Sequence, residues 1–290
     1  MTLMMKTQEA WRRAKHLPQN LWWGMYPPCW AWISRQGVVL QRPGLNQRPL
    51  QSDVLHGDDL DTLWGSAATE LLKLCDRSYL AHQRLHVLFS DFWFKPFVLG
   101  LKKERAQESE MELLLQGQYQ RLYGEASKSW TCAWDVCGEH VIAMASPQTG
   151  VDMVRQGLAE RNIQLSGFGP ASAQYLQAAS QRMRDGWMAM VQSDSLSLLR
   201  IKDQQICDWR TFAQTSSLTQ DLLVHLSRQS ARASDAARFL EVVDLSQSLN
   251  QRALQAELAH MGWQSEFANL AAPSTKSLAK WLALLEVKPL

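Results

Sequence analysis

Apolar residues cluster twice along the chain into short strand-like runs, and helix-period segments follow each cluster. The first cluster is Leu21–Tyr26, Cys29–Ser34 and Val38–Arg42, with turns at Pro27–Pro28 and Gln36–Gly37. The second is Trp187–Ser193, Leu196–Ile201 and Ile206–Thr211, separated by Ser193–Asp194–Ser195 and by Lys202–Asp203. A short amphipathic helix is expected over 4–15 and another over 59–76, with Asp58 or Asp59 as N-cap and Leu63, Leu71, Leu72 and Leu74 inward. His86–Ser90 and Phe92–Leu99 read as a strand pair with an edge at Pro96. A helix over 104–123 carries Met111, Leu115, Tyr119 and Leu122 on one face, and a hairpin joins Ser129–Val136 to His140–Ser146. Then come a helix over 148–161, a strand at Ile163–Phe168 and a helix after Gly169–Pro170. Beyond the second cluster lie a helix at 217–230, a strand at Arg238–Leu245 and helices at 250–261 and 274–286.

This doubling predicts a two-lobed α/β protein. The first lobe spans 1–183 and includes an inserted strand–helix–hairpin subdomain at about 85–165; the second spans 184–290. A chain of 290 residues is long enough for two such cores. Its 30 basic and 28 acidic residues leave a net charge of +2, with none of the clustered Lys and Arg that nucleic acid demands. No window reaches the roughly 18 apolar residues of a membrane span, and the N-terminal stretch lacks the apolar core of a secretory signal. Five dispersed cysteines fit reduced thiols in the cytoplasm.

The order HVLFSDFWFKPFVLGL, a Glu/Gln-rich helix, the hairpin SWTCAWDV/EHVIAMAS and SPQTGVDMVRQGLAERNIQLSGFGP resembles the first lobe of the PilM/GspL group. These are actin-like-fold assembly proteins of type IV pili and type II secretion. The resemblance runs over residues 20–245 as an order of elements, with Gly186–Trp209 where the group opens its second lobe. It implies an actin-like (RNase H-like) two-lobed fold with mixed sheets and flanking helices. It also implies a cytoplasmic scaffold, peripheral to the inner membrane through its partners. Those partners are a short cytoplasmic tail of an inner-membrane protein on the first lobe, in the PilM-like case, or a secretion ATPase in the GspL-like case. GspL proteins continue into a membrane helix, which this sequence does not contain, so the PilM-like adaptor or a truncated piece is the expectation.

Actin-like ATPases hold phosphate on glycine turns in both lobes, because only glycine lets the backbone N–H groups come so close. Here the first turn, Gly24–Pro28, contains two prolines without N–H groups, and Gln192–Ser195 has no glycine. After Gly186 the only glycine is Gly262, and no Gly-Gly pair occurs. ATP hydrolysis is therefore not expected, no cofactor is called for, and Asp194 reads as an exposed turn aspartate in preference to a water-mediated metal ligand. The alternative is a divergent actin-like-fold ATPase or kinase; a third reading is a binding module with no envelope role.

Other chemistry is thin. Cys132, Cys137 and His140 lack a fourth ligand and the usual zinc spacing. His56–Asp59 fits a helix-capping loop, and His82 and His86 have no acidic neighbour in sequence. Ser90–Asp91 follows an apolar strand, as a catalytic residue would, but 21–42 contains no carboxylate to join it in a two-metal site. No metal site is expected. Aromatics crowd both faces of the early strands, and Trp22, Trp30, Trp32, Trp93 and Phe97 are the candidates to line a partner groove; the competing reading is that the chain's own helices cover both faces.

Overall fold

The computed structural model describes residues 28–42, 49–100, 108–179, 183–214, 217–232, 238–246 and 248–268. The expected strand at Leu21–Tyr26, the helices at 4–15 and 274–286, and Trp22 lie outside these residues. The chain divides into two compact units, one of 1–88 with 93–168 and one of 89–92 with 169–290. The division thus falls at Phe168/Gly169, before the helix that follows, and the second unit also takes the four residues Phe89–Phe92.

The first unit contains β1 (Cys29–Ser34), β2 (Gly37–Gln41), β3 (Leu50–Gln51), α1 (Leu60–Arg77) and β4 (Arg84–Phe89). After a 3-10 turn at Asp91–Trp93 come β5 (Lys95–Gly100), α2 (Glu108–Tyr123), β6 (Trp130–Cys137), β7 (His140–Pro147), α3 (Gln148–Glu160) and β8 (Gln164–Pro170). One sheet has the order β3-β2-β1-β4-β8 and a smaller one the order β5-β7-β6. The strand pair expected at 86–99 does not form: β4 lies between β1 and β8, whereas β5 pairs antiparallel with β7. The 3-10 turn breaks the apolar run and sends its two halves to different sheets. The insertion is accordingly narrower than the sequence suggested, running from β5 to β7.

The second unit begins with α4 (Ala171–Ala179) and continues with β9 (Gly186–Val191), β10 (Ser195–Lys202), β11 (Gln205–Ala213), α5 (Leu218–Arg232), β12 (Phe239–Asp244), α6 (Gln251–His260) and β13 (Gln264–Phe267). Its sheet has the order β11-β10-β9-β12-β13. Numbered by appearance within each sheet, both five-stranded sheets read 3-2-1-4-5. The doubling inferred from the two strand clusters is thus a doubling of topology. In the second sheet β9–β10–β11 form an antiparallel meander, and β12 joins β9 in parallel, as the crossover helix α5 allows. Asp203 and Gln204 turn the β10–β11 hairpin with φ of 52° and 59°, the sign that matches strand twist.

Packing follows the apolar periodicities. Asp59 caps α1, its carboxylate accepting from the Thr62 N–H at 2.8 Å while Thr62 Oγ1 accepts from the Asp59 N–H. Trp64 on α1 is fully buried, edge-on to Trp93 at 5.4 Å and stacked on Phe168 at 6.3 Å. Helix α3 approaches α1 through two glycines, Gly150 facing the Trp64 ring and Gly157 facing Leu72. On the small sheet Met111, Leu115 and Tyr119 of α2 pack over Val141, Ala143 and Ala145. Leu122, expected on that face, is 52% exposed. In the second unit Leu222 and Leu226 of α5 and Leu254 and Leu258 of α6 close over Ala189, Leu198, Leu240 and Val242.

A Cβ at Gly150 would sit 2.5 Å from Trp64 Cβ, with no flexible side-chain end to yield. Gly150→Ala is expected to lower stability by about 1–3 kcal/mol. Gly65→Ala on α1 meets nothing within 4 Å and is expected to raise it by about 0.5–1 kcal/mol. Urea unfolding of both variants checks the pair.

Candidate functional site

The concentration of buried polar chemistry among the described residues is in the second unit, where the β9–β10 turn meets Ser90–Asp91. Gln192, Asp194, Ser195, Ser197, Ser90, Asp91 and Ser172 are all buried. Ser90 Oγ donates to Asp194 Oδ2 at 2.7 Å, and Ser195 Oγ donates to Asp194 Oδ1 at 3.1 Å. Ser197 Oγ donates to Asp91 Oδ2 at 2.6 Å. Because that bond uses its only hydrogen, Ser197 accepts from Thr211 Oγ1 at 2.8 Å. The Asp91 N–H donates to Gln192 Oε1 at 2.9 Å, and the Ser172 N–H in the first turn of α4 donates to Asp91 Oδ1 at 3.3 Å.

The local sequence explains this arrangement. Alternation along β10 points Ser195 and Ser197 to the side opposite Leu196 and Leu198, which enter the core. The turn Gln192–Asp194 is short enough that the Gln192 N–H donates to the Ser195 carbonyl at 2.9 Å. Asp91 at the N-terminal end of α4 interacts with that helix's positive pole. Burial pushes the Asp91 carboxyl up; the hydroxyl of Ser197, the amide of Gln192 and Ser172 act against it and recover only part of the cost. Asp194 is only 6% exposed, so the expectation of an exposed turn aspartate is corrected. Its partner Ser90 lies 104 residues away in sequence, which no local pattern could reveal.

At the end of β12, beside β9, Asp244 tethers its own loop. It accepts from Ser246 Oγ at 2.6 Å and from the Leu249 N–H at 3.0 Å. No group of three His, Cys, Asp or Glu side chains suited to a metal is present among the described residues. At this turn the side-chain hydroxyls of Ser90, Ser195 and Ser197 answer the carboxylates directly.

The aromatic candidates fall in several places. Trp93 is fully buried and Trp32 is 7% exposed, so both serve the core of the first unit. Phe97 packs under α2, its ring 6.1 Å from Tyr119. Trp30 is half-buried and stacks on His86 at 4.2 Å; burial lowers His86 to about 4, so it is neutral at physiological pH. Gly167 makes room for that imidazole. Among the described candidates, Trp32 and Trp93 follow the covered-face reading. Cys132 packs against the α2 core and is pushed up to about 12 by burial, which makes it an inert thiol.

Two solved structures have similar folds over nearly the whole chain. One is a chain of the PilM–PilN type IV pilus biogenesis complex, 13% identical with a TM-score of 0.57, covering 90% of this chain and 99% of that one. The other is a Bacteroides thetaiotaomicron protein with an actin-like ATPase fold and unknown function, 14% identical with a TM-score of 0.56, covering 87% and 95%. The fold is actin-like. The cytoplasmic domain of EpsL, an inner-membrane component of the Vibrio cholerae type II secretion system, is a third match. It is 11% identical with a TM-score of 0.51, covering 89% and 94%. The resemblance to PilM/GspL-like proteins read from the element order therefore holds at the level of fold. No family model matches the chain, and no curated protein matches it in sequence.

In this actin-like protein Ser197 is the donor that offsets the buried charge of Asp91. Ser197→Ala is expected to cost about 1–3 kcal/mol in urea unfolding. A raised carboxyl binds its proton more tightly in the folded chain. Its stabilising contribution is therefore complete below the ordinary carboxylate value of about 3.9 and is lost as pH rises through the folded value. Relative to Asp91→Asn, wild-type stability is expected to fall as pH rises from about 4 to 7, as read from urea midpoints across that range.

Proposed function

We propose that this protein is a cytoplasmic-side scaffold of a type IV pilus or type II-like secretion platform at the inner membrane. In this reading it binds assembly partners and does not hydrolyse nucleotide. The observation that carries the role is the likeness in fold, over about nine-tenths of the chain, to a chain of the PilM–PilN complex and to the EpsL cytoplasmic domain. The partner class this favours is an inner-membrane assembly protein presenting a short cytoplasmic tail, with a secretion ATPase as the other candidate. No helix among the described residues is long and apolar enough to cross a membrane.

The chemistry of the acidic turn supports the absence of catalysis. A phosphate-binding turn needs backbone N–H groups that are free to face the ligand and residues small enough to admit it. At Gln192–Ser195 the Gln192 N–H is spent on Ser195, and both carboxylates are engaged by hydroxyls of the protein itself. Two aspartates close to one turn are what favours the second reading, a divergent ATPase or kinase. The hydroxyl partners and the missing glycines weigh against it.

Cross-linking of the tagged protein in native membranes, followed by mass spectrometry, tests the role. Enrichment of a single-span inner-membrane protein or a secretion ATPase is the expected result. Recovery of soluble metabolic or nucleic-acid proteins alone would remove the envelope assignment and leave the fold.

A further inference from the structure

Strand β11 ends the second sheet. It pairs with β10 on its inner side, and no strand lies on its outer side among the described residues. At nine residues, Gln205–Ala213, it is longer than most edge strands, and an edge of that length is a template for another strand. Its side chains specify which strand. Asp208 and Arg210 lie two apart, so they share a face, and Arg210 Nε reaches Asp208 Oδ2 at 3.1 Å with both side chains partly open to solvent.

The sequence is complementary to itself when run antiparallel about Trp209. In that register Asp208 stands opposite Arg210 of a second copy and Arg210 opposite its Asp208. Ile206 meets Phe212 and Cys207 meets Thr211. Shifting the centre to residue 208 sets aspartate against aspartate, and shifting it to 210 sets arginine against arginine. A parallel, in-register pairing produces both clashes at once. Like charges directly opposite destabilise a strand pair and unlike charges favour it. The two charges therefore favour the antiparallel register centred on Trp209 over the two registers that set like charges opposite and over the parallel in-register pairing, which is how specificity is encoded against alternatives.

We propose that β11 is the seam of a two-fold dimer of this chain, in which the two second-unit sheets join edge to edge. The contact is isologous, so it closes at two copies and does not propagate. The register shift between Arg200 and Ile201 pairs them with Asp208 and Ile206 and leaves Cys207 as the extra residue of a bulge, which adds twist there and centres the regular seam on Asp208–Arg210. The inference goes beyond the scaffold reading and does not depend on it, since it concerns one strand whatever the protein docks.

Sedimentation of the full chain tests it. Wild type is expected to dimerise with a Kd of roughly 1–100 µM. Asp208→Arg and Arg210→Asp, each of which brings like charges together across the seam, should weaken the dimer at least about tenfold, a loss near 1.4 kcal/mol. The exchanged variant carrying both substitutions should restore it. Both single positions are partly solvent-exposed, and if one variant fails to fold the other decides. A wild type monomeric throughout that range, a dimer indifferent to both single charge reversals, or failure of the folded double variant to recover would overturn the proposal.

Discussion

Two hydroxyl–carboxylate contacts, Ser90 to Asp194 and Ser197 to Asp91, organise the second unit. They fasten the four residues Phe89–Phe92 to the β9–β10 turn, and the Asp91 N–H adds a third bond through Gln192. Buried carboxylates are tolerated only where donors meet them. Removing one hydroxyl leaves charge in a dry site; removing a carboxylate leaves hydroxyls without acceptors. This reciprocity makes the turn specific in structure. Its carboxylates are engaged by hydroxyls and the Gln192 N–H by the Ser195 carbonyl, while the Gln192 side-chain Nε2 is buried without a hydrogen-bond partner among the described residues. What weighs against phosphate is the absence of glycine from the turn.

The first unit rests on a different kind of contact. Gly150 and Gly157 let α3 approach α1 closely around Trp64 and Leu72, and the aromatic cluster of Trp64, Trp93 and Phe168 fills the layer beneath. The insertion from β5 to β7 has its own small core under α2, where the Tyr119 hydroxyl donates to the Lys95 carbonyl at 2.8 Å. The separately packed insertion adds surface to the actin-like frame and leaves the strand order of both five-stranded sheets intact.

Much of this fold was readable from local pattern. The 3.6-residue periodicity of α1, α3 and α5, the capping aspartate and the turn-separated strands of β9–β11 are short-range signals, and each element formed near its expected position. Strand partners are long-range and lie beyond local pattern: the run from His86 to Leu99 is apolar on both sides of Asp91 and reads as one strand pair, while the 3-10 turn at Asp91–Trp93 sends β4 and β5 to different sheets. The strand β13, with only four residues, carried too little pattern to be recognised. At the site the missing glycines were visible. The burial of Asp194 was not, because Ser193–Asp194–Ser195 resembles any solvated turn until Ser90 is brought to it. Aromatic count likewise misled, since Trp93 and Trp32 were needed for packing.

On the proposed reading the actin-like fold serves assembly and its acidic turn takes no nucleotide. Isothermal titration of the full chain with Mg-ATP tests that most directly. The account predicts no saturable heat up to millimolar nucleotide and no phosphate release. Saturable micromolar binding with turnover that disappears in Asp194→Ala would contradict it and make the protein an enzyme.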